Sequence, residues 1–160
     1  MNKKKYFICL LMFLCMYSIS LADTKYVLVQ SELNVRSKPS LGSYIYGRLF
    51  TGETVNVTRT YRDWCYLEGL HSDEGNGWVN SKYLVNEPVT QMYDATAIIR
   101  ANGRVAIRDS VDGKRISWAH PGDVVCVYGT SEFWTVTDKG YVKTEYLIFE
   151  QANDNECHKE

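Results

Sequence analysis

The sequence predicts an all-β protein, organised as two small β-barrels in tandem behind a cleaved leader. Three observations predict it. Apolar and polar residues alternate in short runs such as Leu33-Asn34-Val35-Arg36 and Thr54-Val55-Asn56-Val57-Thr58, the period of a half-buried strand. Turn residues break the chain about every 8 to 12 residues, and beyond the N-terminal segment no stretch carries an apolar stripe of helical period. The same series of runs and turns then returns some seventy positions further on.

Residues 1–22 read as a signal peptide. Lys3, Lys4 and Lys5 precede an apolar run, and Ser20-Leu21-Ala22 places small residues where cleavage after Ala22 needs them. The run is short for a membrane-spanning helix of about 20 apolar residues. The chain is therefore expected to be exported, periplasmic or secreted, and not membrane-spanning after cleavage. Three lysines and no acids leave with the leader, taking the formal charge from −1 to −4. A mildly acidic chain is not expected to bind nucleic acid. Cys65, Cys126 and Cys157 remain; one bridge at most is internal, and the sequence leaves its partners open.

The elements follow in order. Residues 23–30 form an opening strand, and Leu33 to Arg36 a second that ends at Ser37, Pro39 and Ser40, since proline cannot donate to a ladder. Residues 45–49 are a third strand. Thr51-Gly52-Glu53 is a turn into the alternating run at 54–58. Residues 64–68 and 77–80 are strands joined by the polar, glycine-rich loop 70–77. Ser81-Lys82-Tyr83 is one helical turn, and Leu84-Val85 ends the unit. Residues 23–86 are the first domain, 87–93 a polar linker, 94–150 the second domain and 151–160 a flexible tail.

The second domain repeats the first. Val105-Ala106-Ile107-Arg108 stands for Leu33-Asn34-Val35-Arg36, Pro121-Gly122-Asp123 for Thr51-Gly52-Glu53, and Val125 and Val127 for Val55 and Val57. Gly140-Tyr141-Val142 stands for Gly77-Trp78-Val79, and Tyr146-Leu147 for Tyr83-Leu84. Phe133 with Val136 is matched to Trp64 with Leu67; Trp134 against Trp64 is the competing register. A domain near 60 residues buries only about 60% of its unfolded surface, so closure into a barrel, which removes edges, is expected.

The ordered set Leu33-Asn34-Val35-Arg36-Ser37, Gly52-Glu53, Trp64, Gly77-Trp78-Val79 and Tyr83-Leu84 resembles the bacterial SH3-like (SH3b) domain family. The second unit is a divergent copy: Ala106 replaces Asn34, Asp109 replaces Ser37 and Tyr141 replaces Trp78. The resemblance implies small, partly open barrels with a long loop after the motif strand. It also implies an exported binding module, in several relatives for peptidoglycan or its peptide cross-links, with a ligand groove between that loop and the hairpin loops.

That implied groove makes Tyr44, Tyr46, Trp64, Trp78 and Tyr83 the ligand-binding candidates, with Trp118 and Trp134 in the second unit. Aromatic faces bury area at low entropic cost. Trp64 and Trp78 also fall on strand positions that alternate toward a core. Val35, Arg36, Val105, Ile107 and Arg108 are framework candidates. Arg36 and Arg108 either pair with a ligand carboxylate or brace the following loop, and their recurrence in both units favours bracing. His71, Asp73 and Glu74 read as a polar loop tip rather than a metal site, and Cys157-His158 as two residues of a tail. No metal and no cofactor are expected. With two barrels filling the chain, a non-catalytic protein is expected, binding cell-wall peptide or glycan. An envelope adaptor or inhibitor with a protein partner is the alternative.

Overall fold

The computed structural model describes residues 23–69 and 76–151. The expected signal peptide, the loop tip with His71, Asp73 and Glu74, and the tail beyond residue 151 lie outside the described residues. Among the described residues the chain is all-β apart from two single 3-10 turns. Its first half runs β1 (Asp23–Val27), β2 (Leu33–Arg36), β3 (Ile45–Leu49), β4 (Thr54–Tyr61), β5 (Trp64–Glu68), β6 (Gly77–Asn80), the turn Ser81–Tyr83 and β7 (Leu84–Val85). The second runs β8 (Thr90–Ile99), β9 (Val105–Arg108), β10 (Arg115–Ala119), β11 (Val124–Thr130), β12 (Trp134–Thr137), β13 (Gly140–Lys143), the turn Thr144–Tyr146 and β14 (Leu147–Gln151). Strand β8 starts inside the stretch read as a linker. Its first residues pair with Gly129 and Thr130 of β11.

Each half is one seven-stranded antiparallel sheet, in the orders β3-β2-β6-β5-β4-β1-β7 and β10-β9-β13-β12-β11-β8-β14. Position for position the two orders are the same. Neither sheet closes, which corrects the expectation of two barrels. Closure would need β3 to hydrogen-bond to β7, and β10 to β14. Instead, among the described residues, β3 pairs only with β2, and the two-residue β7 only with β1. The edge at β7 is covered differently: Val85 is buried against the second half. Packing thus protects the edge that pairing would have protected.

Three apolar clusters hold the fold. The first lies inside sheet one and includes Val35, Val55, Val57, Leu67 and Val79. The second lies inside sheet two and includes Val105, Ile107, Val125, Val127 and Val142. The third joins the halves: Leu28 and Val85 from the first pack on Trp134, Val136 and Tyr141 from the second. Full burial of each aliphatic side chain contributes about 1.5–3 kcal/mol.

That junction settles the register of β12. Trp134 pairs with Lys143 as Trp64 pairs with Asn80, and Thr137 faces Gly140 as Leu67 faces Gly77. Phe133, 48% exposed, is therefore not the counterpart of Trp64; Trp134, 4% exposed, is. The one-residue shift exchanges faces along the strand. Thr135 and Thr137 take the inward places of Cys65 and Leu67, where hydrogen bonds to Thr130, Thr144 and the Gly140 carbonyl satisfy their hydroxyls. Trp134 and Val136 point outward and are apolar because the first half covers them. Hence all four residues of β12 are buried.

Among the described residues no helix is long and apolar enough to cross a membrane. Cys126 is disulfide-bonded, whereas Cys65 is a buried free thiol.

Candidate functional site

A groove of about 320 Å³ opens where the two halves meet. Its floor is strand β2, contributing Leu33, Asn34 and Arg36. One wall is the 29–32 loop after β1; another is Leu41, from the loop after β2. Trp64 at the start of β5, with Asn80 and Tyr83 around the 3-10 turn, lines the rest. The second half completes the rim with Asp109 and Tyr141.

The local sequence explains this geometry. Ser37, Pro39 and Ser40 stop β2 and throw the chain into a long loop. The Arg36 guanidinium returns across that loop and donates from Nη1 to the Ser43 carbonyl at 3.0 Å. In the second half Arg108 donates from Nη1 to the Gly113 carbonyl at 2.7 Å. Asn80 caps the 3-10 turn, its side-chain oxygen accepting from the Lys82 amide, which presents Tyr83. Asn34 Oδ1 is shielded from solvent without a hydrogen-bond partner, an unsatisfied acceptor on the groove floor. Glu32 is held by Arg48 Nη1 at 3.0 Å.

Tyr141 is the keystone of the rim. It is 4% exposed, and its hydroxyl donates to the Leu28 carbonyl at 2.8 Å across the junction. Burial, helped by Tyr83 and Asp109 nearby, pushes its phenol well above the ordinary range.

Of the aromatic candidates, the groove unites Trp64 and Tyr83. Trp64 is 9% exposed, so it presents only an edge. Trp78 is half-buried on β6 and packs its ring 5.1 Å from Tyr66, away from the groove. Tyr44, 73% exposed, and Tyr46 make an edge-to-face pair with ring centroids 5.6 Å apart on β3 and the loop before it. Trp118 stands half-exposed on β10, and Trp134 lies in the junction. Val35, Val105 and Ile107 are core residues of their sheets. The sequence reading did not put Glu32, Leu41, Asn80 or Asp109 at the site. Tyr141 was visible only as the counterpart of Trp78. Polar loop residues carry no periodic signal, and a rim shared between two sheets has no signature in either.

Among the described residues no cluster of three metal-ligating side chains occurs. His120 sits exposed on a turn, with Nδ1 3.9 Å from Asp123. Burial pushes the Cys65 thiol up, against a smaller opposing effect of Lys25. A buried thiol held in its neutral form is a poor nucleophile. Iodoacetamide at about pH 8 should leave Cys65 unmodified in the native protein and label it fully in urea, read by mass spectrometry; rapid native labelling would contradict its burial.

Residues 31–85 match the model of the bacterial SH3 domain. No curated protein matches the chain. Among solved structures the chain is similar to NlpC1 from Trichomonas vaginalis, at 10% identity and a TM-score of 0.35, over 88% of this chain and 50% of that one. NlpC2 from the same organism matches at 12% identity and a TM-score of 0.34, over 83% and 50%. An NlpC/P60 family protein from Bacillus cereus matches at 11% and 0.31, over 81% and 57%. The chain thus spans little more than half the length of these structures. The expectation of a non-catalytic protein stands against these NlpC and NlpC/P60 matches and is not carried further. Likeness at these scores assigns no reaction to this chain. What the motif strand, the tryptophan strand and the 3-10 turn establish together is narrower: residues 31–85 are a bacterial SH3-like domain.

Proposed function

We propose that the protein is exported to the cell envelope, where it recognises peptidoglycan peptide through the groove at the junction of its two halves, the second half being a divergent copy of the first. The observation that carries this reading is the groove itself, on the bacterial SH3-like domain and walled by Asp109 and Tyr141 of the other half. Its lining suits an extended peptide. Leu41 and Tyr83 offer apolar contact, Asn34 and Asn80 pair with amides, and Glu32 and Asp109 attract an ammonium group. The shared strand order of the two sheets supports the divergent copy.

Co-sedimentation with purified peptidoglycan tests this. The wild-type protein should pellet with the wall material, and Leu41→Asp with Glu32→Arg should stay in the supernatant while circular dichroism remains unchanged. Leu41 is exposed and Glu32 borders solvent, so neither change removes core. Equal retention of the variant would overturn the groove assignment, and no retention of the wild type would overturn the ligand class. A protein partner is the second reading, favoured by the exposed Tyr44–Tyr46 pair. It predicts that Tyr44→Ser with Tyr46→Ser abolishes capture of an envelope protein without changing sedimentation.

A further inference from the structure

The second half has its own cleft at the position equivalent to the groove, and its chemistry is reversed. This cleft, about 930 Å³, is lined by Arg100, Arg104, Arg108 and Lys143 against a single carboxylate, Glu145. The register of the two sheets places these cations where the first half has Leu28, Glu32, Arg36 and Asn80. Only the arginine of the motif strand is shared, and Arg104 stands for an acid.

Three of the four cations, Arg104, Arg108 and Lys143, are held rather than loose. Trp118, at the cleft, carries two guanidinium groups, with Arg104 Cζ 4.9 Å and Arg115 Cζ 4.4 Å from its ring centroid. Lys143 Nζ lies 4.1 Å from the Trp134 ring, and Arg108 is fixed by its bond to the Gly113 carbonyl. Among the described residues the ion pairs involve Lys25, Arg48, Arg59 and His120, none of them in this cleft. Gathering four cations around one carboxylate costs stability. Bracing the loop requires Arg108 alone, so the other cations have no structural task that explains them.

We infer that this cleft is an anion-binding site for a short ligand carrying two or more carboxylates, of the acidic-peptide type. Guanidinium forks stacked on an aromatic ring are pre-organised for bidentate carboxylate binding. A short ligand fits better than a long polyanion. Within the cleft it meets only the local positive field, whereas a polymer leaving it meets a chain of net negative charge. The inference does not rest on the peptidoglycan reading, since the two sites share only the equivalent Arg36 and Arg108.

Titration calorimetry of the purified protein with tri-glutamate tests it, with tri-alanine, inorganic triphosphate and a short single-stranded oligonucleotide as comparators. Tri-glutamate should bind, tri-alanine should not, and the affinity should fall as salt rises. Arg104→Gln and Lys143→Gln should each weaken binding about tenfold, while Arg62→Gln, on a turn of the first half, leaves it unchanged. In a nuclear magnetic resonance titration of the wild type, the Trp118 and Arg104 side-chain signals should move with tri-glutamate, a readout independent of any variant's fold. Absence of tri-glutamate binding, or binding indifferent to Arg104 and Lys143, overturns the site. Tighter binding of triphosphate or of the oligonucleotide overturns the carboxylate assignment.

Discussion

Gly140→Ala should destabilise the protein by about 3 kcal/mol or more, from overpacking and backbone strain together. Gly140 opens β13 at φ 128°, in a region L residues avoid. A Cβ there would lie 2.6 Å from the Arg108 carbonyl oxygen and 2.9 Å from Ile107 Cγ2. The carbonyl belongs to strand β9 and cannot give way without breaking the pairing of Tyr141 with Arg108. Gly77 occupies the same place over β2, where a Cβ would meet Val35 Cγ1 at 2.6 Å and the Arg36 carbonyl oxygen at 3.0 Å. Its φ is not positive, so Gly77→Ala should cost less, about 1–3 kcal/mol. Urea unfolding of both variants checks the order. An unchanged midpoint for Gly140→Ala would mean that β13 and β9 do not approach this closely.

Tyr141→Ala should cost about 3–5 kcal/mol, as loss of a buried aromatic ring does. The cavity would open at the junction between the sheets, so the halves should lose cooperativity as well as stability. Tyr141→Phe isolates the hydroxyl. It leaves the buried Leu28 carbonyl without its donor, at a cost of about 1–3 kcal/mol. The hydroxyl also makes stability depend on pH. The folded phenol is held protonated above its ordinary value near 10. Below pH 10 the contribution is fully present. As pH rises past 10 the unfolded chain releases this proton while the folded one keeps it, so stability falls. Wild type should therefore lose stability above pH 10 more steeply than Tyr141→Phe, measured as the difference in Tm between pH 9 and pH 11. Parallel curves would show that the phenol is not buried in the junction.

The strand order common to the two halves was readable because its carriers obey local rules. Val35 and Ile107 are buried between half-buried neighbours, the Gly52 and Gly122 turns demand φ near 90°, and Gly77 and Gly140 open equivalent strands. Each is set by covalent geometry or by one sheet's own inside and outside. Trp134 and Val136 could not be placed this way. An apolar residue on β12 satisfies alternation equally well facing in or out, and the outward face was apolar for a reason located in the other half of the chain. The one-residue error at Phe133 followed from that. The site failed for a related reason: Asp109 and Glu32 are unremarkable loop acids until the fold sets them around one groove.

The all-β class, the order of strands and turns, the SH3-like motif strand and the arginine that follows it are properties of short segments, and short-range chemistry specifies them. Whether an edge is covered by pairing or by packing, and how Tyr141 comes to rim the groove, depend on contacts between residues more than a hundred positions apart, such as Leu28 with Tyr141. Those contacts form because two marginal sheets bury an edge and a face against each other, and only the assembled structure shows which.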